Sequence, residues 1–153
     1  MFPVSAIPYM PHELPMALID EICACDEHSI VTQVFLHESH LFATGQQIPA
    51  WVGIELMAQS AAAWSGFNAQ KERSAQDSGL NEKAIPIGYL LGTRDYRSNV
   101  GFFSVGSQLR IHAQCLLQSS EGLGSFDCQI YDQHDILLAQ ARLSVFQPKS
   151  ASF

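Results

Sequence analysis

The distribution of apolar and polar positions divides the chain into an irregular start, one long apolar segment and a run of alternating strands. Pro3, Pro8, Pro11 and Pro15 punctuate the opening, which predicts an extended arm with a short helical turn near Met16–Ile19. Residues 22–38 are β-branched and mixed, and Ser29–Leu36 reads as a strand. His37–Gln47 is polar and reads as a loop. From Ile48 to Phe67 nearly every residue is apolar or small, and Pro49 stands where a helix can begin without loss of a donor. The pattern predicts a helix ending near Asn68 or Gln70, followed by an exposed polar loop over Lys71–Ala84.

Beyond that loop the period becomes two. Residues 85–97 form one candidate strand. Leu109, Ile111, Ala113, Cys115 and Leu117 alternate with polar neighbours, and Gly124, Phe126, Cys128 and Ile130 do the same. Leu137, Ala139, Ala141, Leu143 and Val145 repeat the pattern, with Gln133-His-Asp135 as a short connection. Alternation of this kind marks antiparallel strands with one buried face. One buried helix and an antiparallel meander give an α+β fold, in which a strongly curved sheet wraps a helix apolar on all sides.

A chain of 153 residues suits a single domain over 1–153. Charged residues make up only 15%, which points to further surface buried in an oligomer. The net charge of −7 gives no basic footprint for nucleic acid. Cys23, Cys25, Cys115 and Cys128 show neither zinc-site spacing nor a disulfide framework, and Cys23-Ala-Cys25 reads as strand thiols rather than a metal site. The first residues lack a signal-peptide pattern, so a reduced, cytoplasmic protein is expected. The apolar run is long enough to span a membrane, but Glu55 near its middle would cost about 2.5–3.5 kcal/mol there, and a buried helix of a soluble protein is the better reading.

Glu55 is the only formally charged residue between Glu38 and Lys71. A carboxylate in a dry helix must be paired, protonated or used. Gln59, one turn on, shares its face.

Three blocks carry a resemblance to a known family. They are Pro11-His-Glu-Leu-Pro-Met-Ala-Leu-Ile-Asp-Glu-Ile22, Pro49-Ala-Trp-Val-Gly-Ile-Glu-Leu-Met-Ala-Gln59 and Val105-Gly-Ser-Gln-Leu109. Together they resemble the hotdog-fold 3-hydroxyacyl-ACP dehydratases of bacterial fatty acid synthesis. The helix block and Gly88-Tyr-Leu-Leu-Gly-Thr-Arg94 are similar to the subgroup associated with aryl polyene and polyketide pathways. The resemblance implies a histidine and an acid that meet across a dimer interface. Glu55 matches the acid. His40, in His40-Leu-Phe42, fits the family's His-Phe pattern with one residue inserted, and His37 is the other candidate. Ser39 stands where the family has glycine before the histidine, and Ala50 where it has glycine after the proline.

The chemistry so implied is loss of water from a 3-hydroxyacyl thioester. A neutral His40 would take the α-proton, and a protonated Glu55 would give its proton to the β-hydroxyl. Free N–H groups of Ala50, Trp51 and Val52 at the helix start would hold the thioester oxygen, with Gln59 orienting the carboxylate or a water. The substrate would ride on the phosphopantetheine of an acyl carrier protein, and no cofactor of the enzyme's own or metal is implied. A homodimer or higher oligomer is expected, or a hetero-oligomer with a second dehydratase. Two rival readings are a hotdog acyl thioesterase, with Glu55 activating water, and a catalytically weak subunit that partners a complete dehydratase. A double-bond isomerase is a third, weaker rival. His12 reads as a structural residue of the arm, and His28, His112 and His134 as surface residues. Arg94, Arg97 and Arg110 form a modest basic group, either a landing site for phosphate or an acidic carrier or ordinary strand residues. Trp51, Trp64, Phe67, Tyr89, Phe102 and Phe103 are candidates for an acyl tunnel or for core or interface.

Overall fold

A computed structural model describes residues 1–76 and 89–147. Its centre is the helix α1, Val52–Gln76. The strands are β1 (Val4–Ser5), β2 (Glu21–Cys25), β3 (Ser29–Phe35), β4 (Gln47–Pro49), β5 (Tyr89–Ser98), β6 (Phe102–Ser104), β7 (Gln108–Gln118), β8 (Leu123–Tyr131) and β9 (Leu137–Phe146). Seven of them form one antiparallel sheet in the order β1-β2-β3-β7-β8-β9-β5, and β4 pairs with β6 separately. A single long helix against such a sheet is the hotdog arrangement.

The alternation in the sequence becomes the inner face of this sheet. Register aligns Thr32, Ile111, Ile130 and Ala139 across β3, β7, β8 and β9, with Ile30, Ala113, Cys128 and Ala141 in the next inward row. All eight are buried. The alanines leave room for α1, which packs on β3, β7, β8, β9 and β5. Leu56, Met57, Ala63 and Trp64 face this layer and are buried. Thr32 and Ser60 share a buried 2.7 Å hydrogen bond, and the Ser60 hydroxyl also reaches the Leu56 carbonyl at 2.8 Å. Trp64 packs edge-on against Phe126 and donates its indole N–H to the Asp26 carbonyl at 2.9 Å.

The arm covers the other side of the helix. Its turn is a 3-10 helix at Ile7–Tyr9, with Pro8 in the first turn, rather than a turn at Met16–Ile19. A second, hydrogen-bonded turn closes from Glu13 to Met16 and Ala17. A Cβ on Gly66 would lie 2.0 Å from the Tyr9 carbonyl oxygen, so the backbone of the arm meets the helix there at a distance only glycine allows. Tyr9 and Phe2 stack around Phe67.

Other boundaries moved. The helix continues through Lys71–Gln76, where a loop was expected; residues 77–84 of that expected loop, and 85–88 of the expected strand, lie outside the described residues. The β8–β9 connection lacks glycine because Asp135 adopts a positive φ of 63° and the Asp132 carboxylate accepts the N–H groups of His134 and Ile136. Among the described residues no helix is long and apolar enough to cross a membrane. Trp64, Phe67 and Phe103 are buried core residues, whereas Trp51 and Phe102 are exposed.

Candidate active site

The strands β4 and β6 deliver the chain to the start of α1. Ile48, paired with Phe103, is fully buried and anchors the entry. Pro49 then ends β4, and the first turn of helix forms through Gly53 N–H to Ala50 O at 3.0 Å and Ile54 N–H to Trp51 O at 3.1 Å. No hydrogen bond among the described residues engages the N–H groups of Ala50, Trp51 or Val52. These three amides are the unfilled donors of a helix N-terminus, where partial positive charge gathers. The Tyr96 hydroxyl donates to the Ala50 carbonyl at 2.5 Å and fixes the turn from the sheet side. Burial pushes the Tyr96 phenol up to about 12, so it stays a donor. A Cβ on Gly53 would lie 2.3 Å from that hydroxyl, which explains the glycine in the motif.

Glu55 lies one turn further in. Its side chain keeps 35% exposure in the protomer, so the expectation of a carboxylate buried on every side is corrected. The helix is apolar all round, but one stripe carrying Glu55, Ala58 and Ala62 is only half-covered. Gln59 is fully buried and orients the carboxylate, donating to Glu55 Oε1 at 3.1 Å. The same amide donates to the Met16 carbonyl at 2.8 Å, while its oxygen accepts the Leu18 N–H at 2.7 Å. Gln59 therefore ties the Glu55 face of the helix to the arm.

That tie brings an unexpected group to the site. His12 Nε2 lies 3.8 Å from Glu55 Oε1, and His12 Nδ1 is buried without a hydrogen-bond partner. Sequence reasoning assigned His12 a structural role in the arm; the signal available was its place in the Pro11–Ile22 block. No ion pair or hydrogen bond joins Glu55 to His40 or His37 among the described residues.

His40 lies in the loop before β4. Its Nδ1 accepts the Phe42 N–H at 3.1 Å, and its Nε2 is buried and unpartnered. With the Nδ1 lone pair so engaged, the neutral ring carries its proton on Nε2. Burial lowers the His40 imidazole below its ordinary 6.5, partly opposed by Asp20 and reinforced by His37. Phe42 stacks edge-on against Trp51 with ring centres 5.0 Å apart, so the His40 loop leans on the helix start. Trp51 is 54% exposed and Leu41 47%, an apolar rim beside the His40 loop. His37 packs against Phe35.

The remaining candidates separate from this place. Burial raises the Cys25 and Cys128 thiols to about 12 and raises Cys23 as well, so these are inert protonated thiols. Among the described residues no group of His, Cys, Asp and Glu is arranged to hold a metal ion. Arg110 pairs with Asp135 and stands apart from Arg94 and Arg97.

A family model described as ApeP-like, ApeP dehydratase, matches residues 4–153. The chain belongs to the ApeP-like dehydratase family. Among solved structures, the dehydratase heterocomplex ApeI:P from Xenorhabdus doucetiae is 30% identical and superposes with a TM-score of 0.80, over 96% of this chain and 93% of that one. Two more distant structures share the fold alone. A hypothetical thioesterase with coenzyme A from Streptococcus pneumoniae has 14% identity and a TM-score of 0.59, over 83% of this chain and 84% of that one. The Escherichia coli PaaI protein has 15% identity and a TM-score of 0.60, over 86% and 80%. No curated protein matches the chain.

Proposed function

We propose that this ApeP-like protein dehydrates 3-hydroxyacyl thioesters, carried on the phosphopantetheine of an acyl carrier protein, to trans-2-enoyl thioesters. The pathway we assign is cytoplasmic fatty acid, polyketide or aryl polyene synthesis. The observation that carries this reading is the position of Glu55. Its carboxyl is held by Gln59, partly open, and one helical turn from the unfilled amides of Ala50, Trp51 and Val52.

In this reaction the thioester oxygen is held by those amides as the α-proton leaves, since they favour the negative charge of the enolate. The α-proton goes to a histidine. The C–O bond at the β-carbon then breaks as protonated Glu55 delivers its proton to the departing hydroxyl, and water leaves. No cofactor of the enzyme's own takes part. His40 is the base in this scheme and acts on the Glu55 site of a neighbouring subunit; among the described residues of one protomer no hydrogen bond or ion pair joins the two. The ring must then release the Phe42 N–H and carry its resting proton on Nδ1, freeing Nε2 to accept. The exposed Trp51 and Leu41 beside this loop suit an apolar partner surface. The heterocomplex found for the similar ApeI:P structure supports a second, different subunit as that partner.

A second reading makes His12 the histidine that works with Glu55. It is favoured by the 3.8 Å approach within one chain. The two are separated by giving the protein, alone and with a candidate partner subunit, a 3-hydroxyacyl-ACP and following enoyl product. Loss of turnover in His40→Asn with retention in His12→Asn supports the first reading, and the reverse supports the second. Retention in both variants refutes both readings, and release of free thiol without enoyl product refutes the dehydratase reading.

A further inference from the structure

The outer face of the sheet carries a feature that this chemistry does not use. Arg94 on β5 is directly opposite Arg142 on β9, and Arg142 is directly opposite Asp127 on β8. One row therefore reads Asp127, Arg142, Arg94. In the next row Arg97 lies opposite Gln140. Residues three apart on a regular strand point to opposite faces. Arg94 and Arg97 share a face only because the register shifts between them, with one extra residue on β5. The shift is a bulge in which Asp95 takes a φ of 54°, a conformation unusual for a residue other than glycine. The same bulge keeps Tyr96 facing inward to Ala50.

The result is a hollow of about 320 Å³ lined by Arg94, Asp95, Arg97, Asp127, Gln140 and Arg142. It holds three of the eight Lys and Arg residues of a chain whose net charge is −7. None of the three arginines forms an ion pair among the described residues. Directly opposed like charges on neighbouring strands, with Cα atoms roughly 4.5–5.5 Å apart, destabilise a sheet unless something neutralises them. Asp127 is already held by Gln129 at 3.1 Å and lies on the far side of Arg142 from Arg94. Asp95 is exposed on the bulge.

The geometry points to an oxyanion site between Arg94, Arg97 and Arg142 that takes a phosphate group, free or as an ester. Three guanidinium forks on one side of a hollow match the planar donor pairs that phosphate oxygens accept. Asp127 closes the opposite side and disfavours an anion centred there. This site is independent of the dehydration reading, since it lies on the sheet face away from α1.

The test is a titration of the full-length protein with inorganic pyrophosphate and with glycerol 3-phosphate, at ionic strength fixed with sodium chloride. The readout is the set of backbone amide shifts. Saturable shifts centred on Arg94, Arg97, Gln140 and Arg142 are expected. Saturation by both compounds assigns the site to the phosphate group as such, and saturation by pyrophosphate alone assigns it to free polyphosphate. Arg94→Gln and Arg142→Gln are each expected to weaken binding about tenfold, with Arg110→Gln unchanged. Should either Gln variant lose its dispersed spectrum, Arg142→Lys serves instead: it keeps the charge, loses the fork and is expected to weaken binding several-fold. Shifts that follow chloride alike, that remain unsaturated, or that survive in the folded Arg94→Gln/Arg142→Gln double variant would overturn the site. So would saturation by a glutamate-rich peptide with no response to either phosphate compound.

Discussion

Replacing Gln59 with Met tests how the arm is fastened to the helix. Met is close to Gln in length and volume, so the substitution removes hydrogen bonds while leaving little cavity. Gln59 is fully buried and makes three hydrogen bonds, to Leu18 N–H, Met16 carbonyl and Glu55 Oε1. At about 1 kcal/mol net for each, the direct loss is about 3 kcal/mol. The Leu18 amide adds a penalty of about 1–3 kcal/mol, because it is buried and the Gln59 oxygen is its one acceptor among the described residues. The expected destabilisation is therefore roughly 4–6 kcal/mol, or a fall in Tm of about 8–24 °C for a chain of this size. Urea unfolding gives the free energy, and native-state hydrogen exchange gives the location. Leu18 N–H should lose protection beyond the global change, while Ile111 N–H in the sheet should follow the global change alone. A loss under about 0.5 kcal/mol, with Leu18 still protected, would refute the argument that Gln59 fastens the arm.

Gly66→Ala forces a methyl against the Tyr9 carbonyl and should cost at least about 1–3 kcal/mol by thermal unfolding, with release of the arm seen as faster proteolysis before Met10. Gly53→Ala meets the Tyr96 hydroxyl instead and should break its bond to Ala50, which Tyr96 fluorescence and the Ala50 amide environment report. Acid should destabilise the fold. His40 and His112 have imidazoles lowered by burial, so the unfolded chain binds protons more readily than the folded one. Their contribution is full above the ordinary 6.5 and is lost as pH falls from there through the lower folded values. Urea midpoints from pH 7.5 to 5 should decline in the wild type and decline less in His40→Asn/His112→Asn. An equal decline would contradict the assignment.

The sheet was legible because its chemistry is local. Leu109 to Leu117 and Leu137 to Val145 alternate at the period of a half-buried strand, and the strands run through those residues. The end of the helix was not legible from polarity. Lys71, Glu72, Arg73 and Gln76 look like a loop by hydropathy, yet they are good helix formers and extend the turn already made. The arm's turn went astray because prolines at four positions permit several, and contact with Gly66 selects the one at Ile7–Tyr9. Strand order was likewise invisible. It places β5 beside β9, separating Arg110 from Arg94 and bringing in Arg142. For the candidate site, Glu55 and Gln59 were readable from their spacing of one helical turn. The approach of His12 was not, because it depends on arm backbone held by Gln59, a contact 43 residues apart in sequence.

The most direct test of the account is turnover of a 3-hydroxyacyl-ACP by the assembled protein, comparing wild type with Glu55→Gln. Gln keeps the size and the contact with Gln59 but has no proton of suitable acidity to give. The account predicts enoyl-ACP formation by the wild type and a fall of at least about a hundredfold in Glu55→Gln, with the fold and assembly unchanged. Undiminished enoyl formation by the folded Glu55→Gln protein would contradict it.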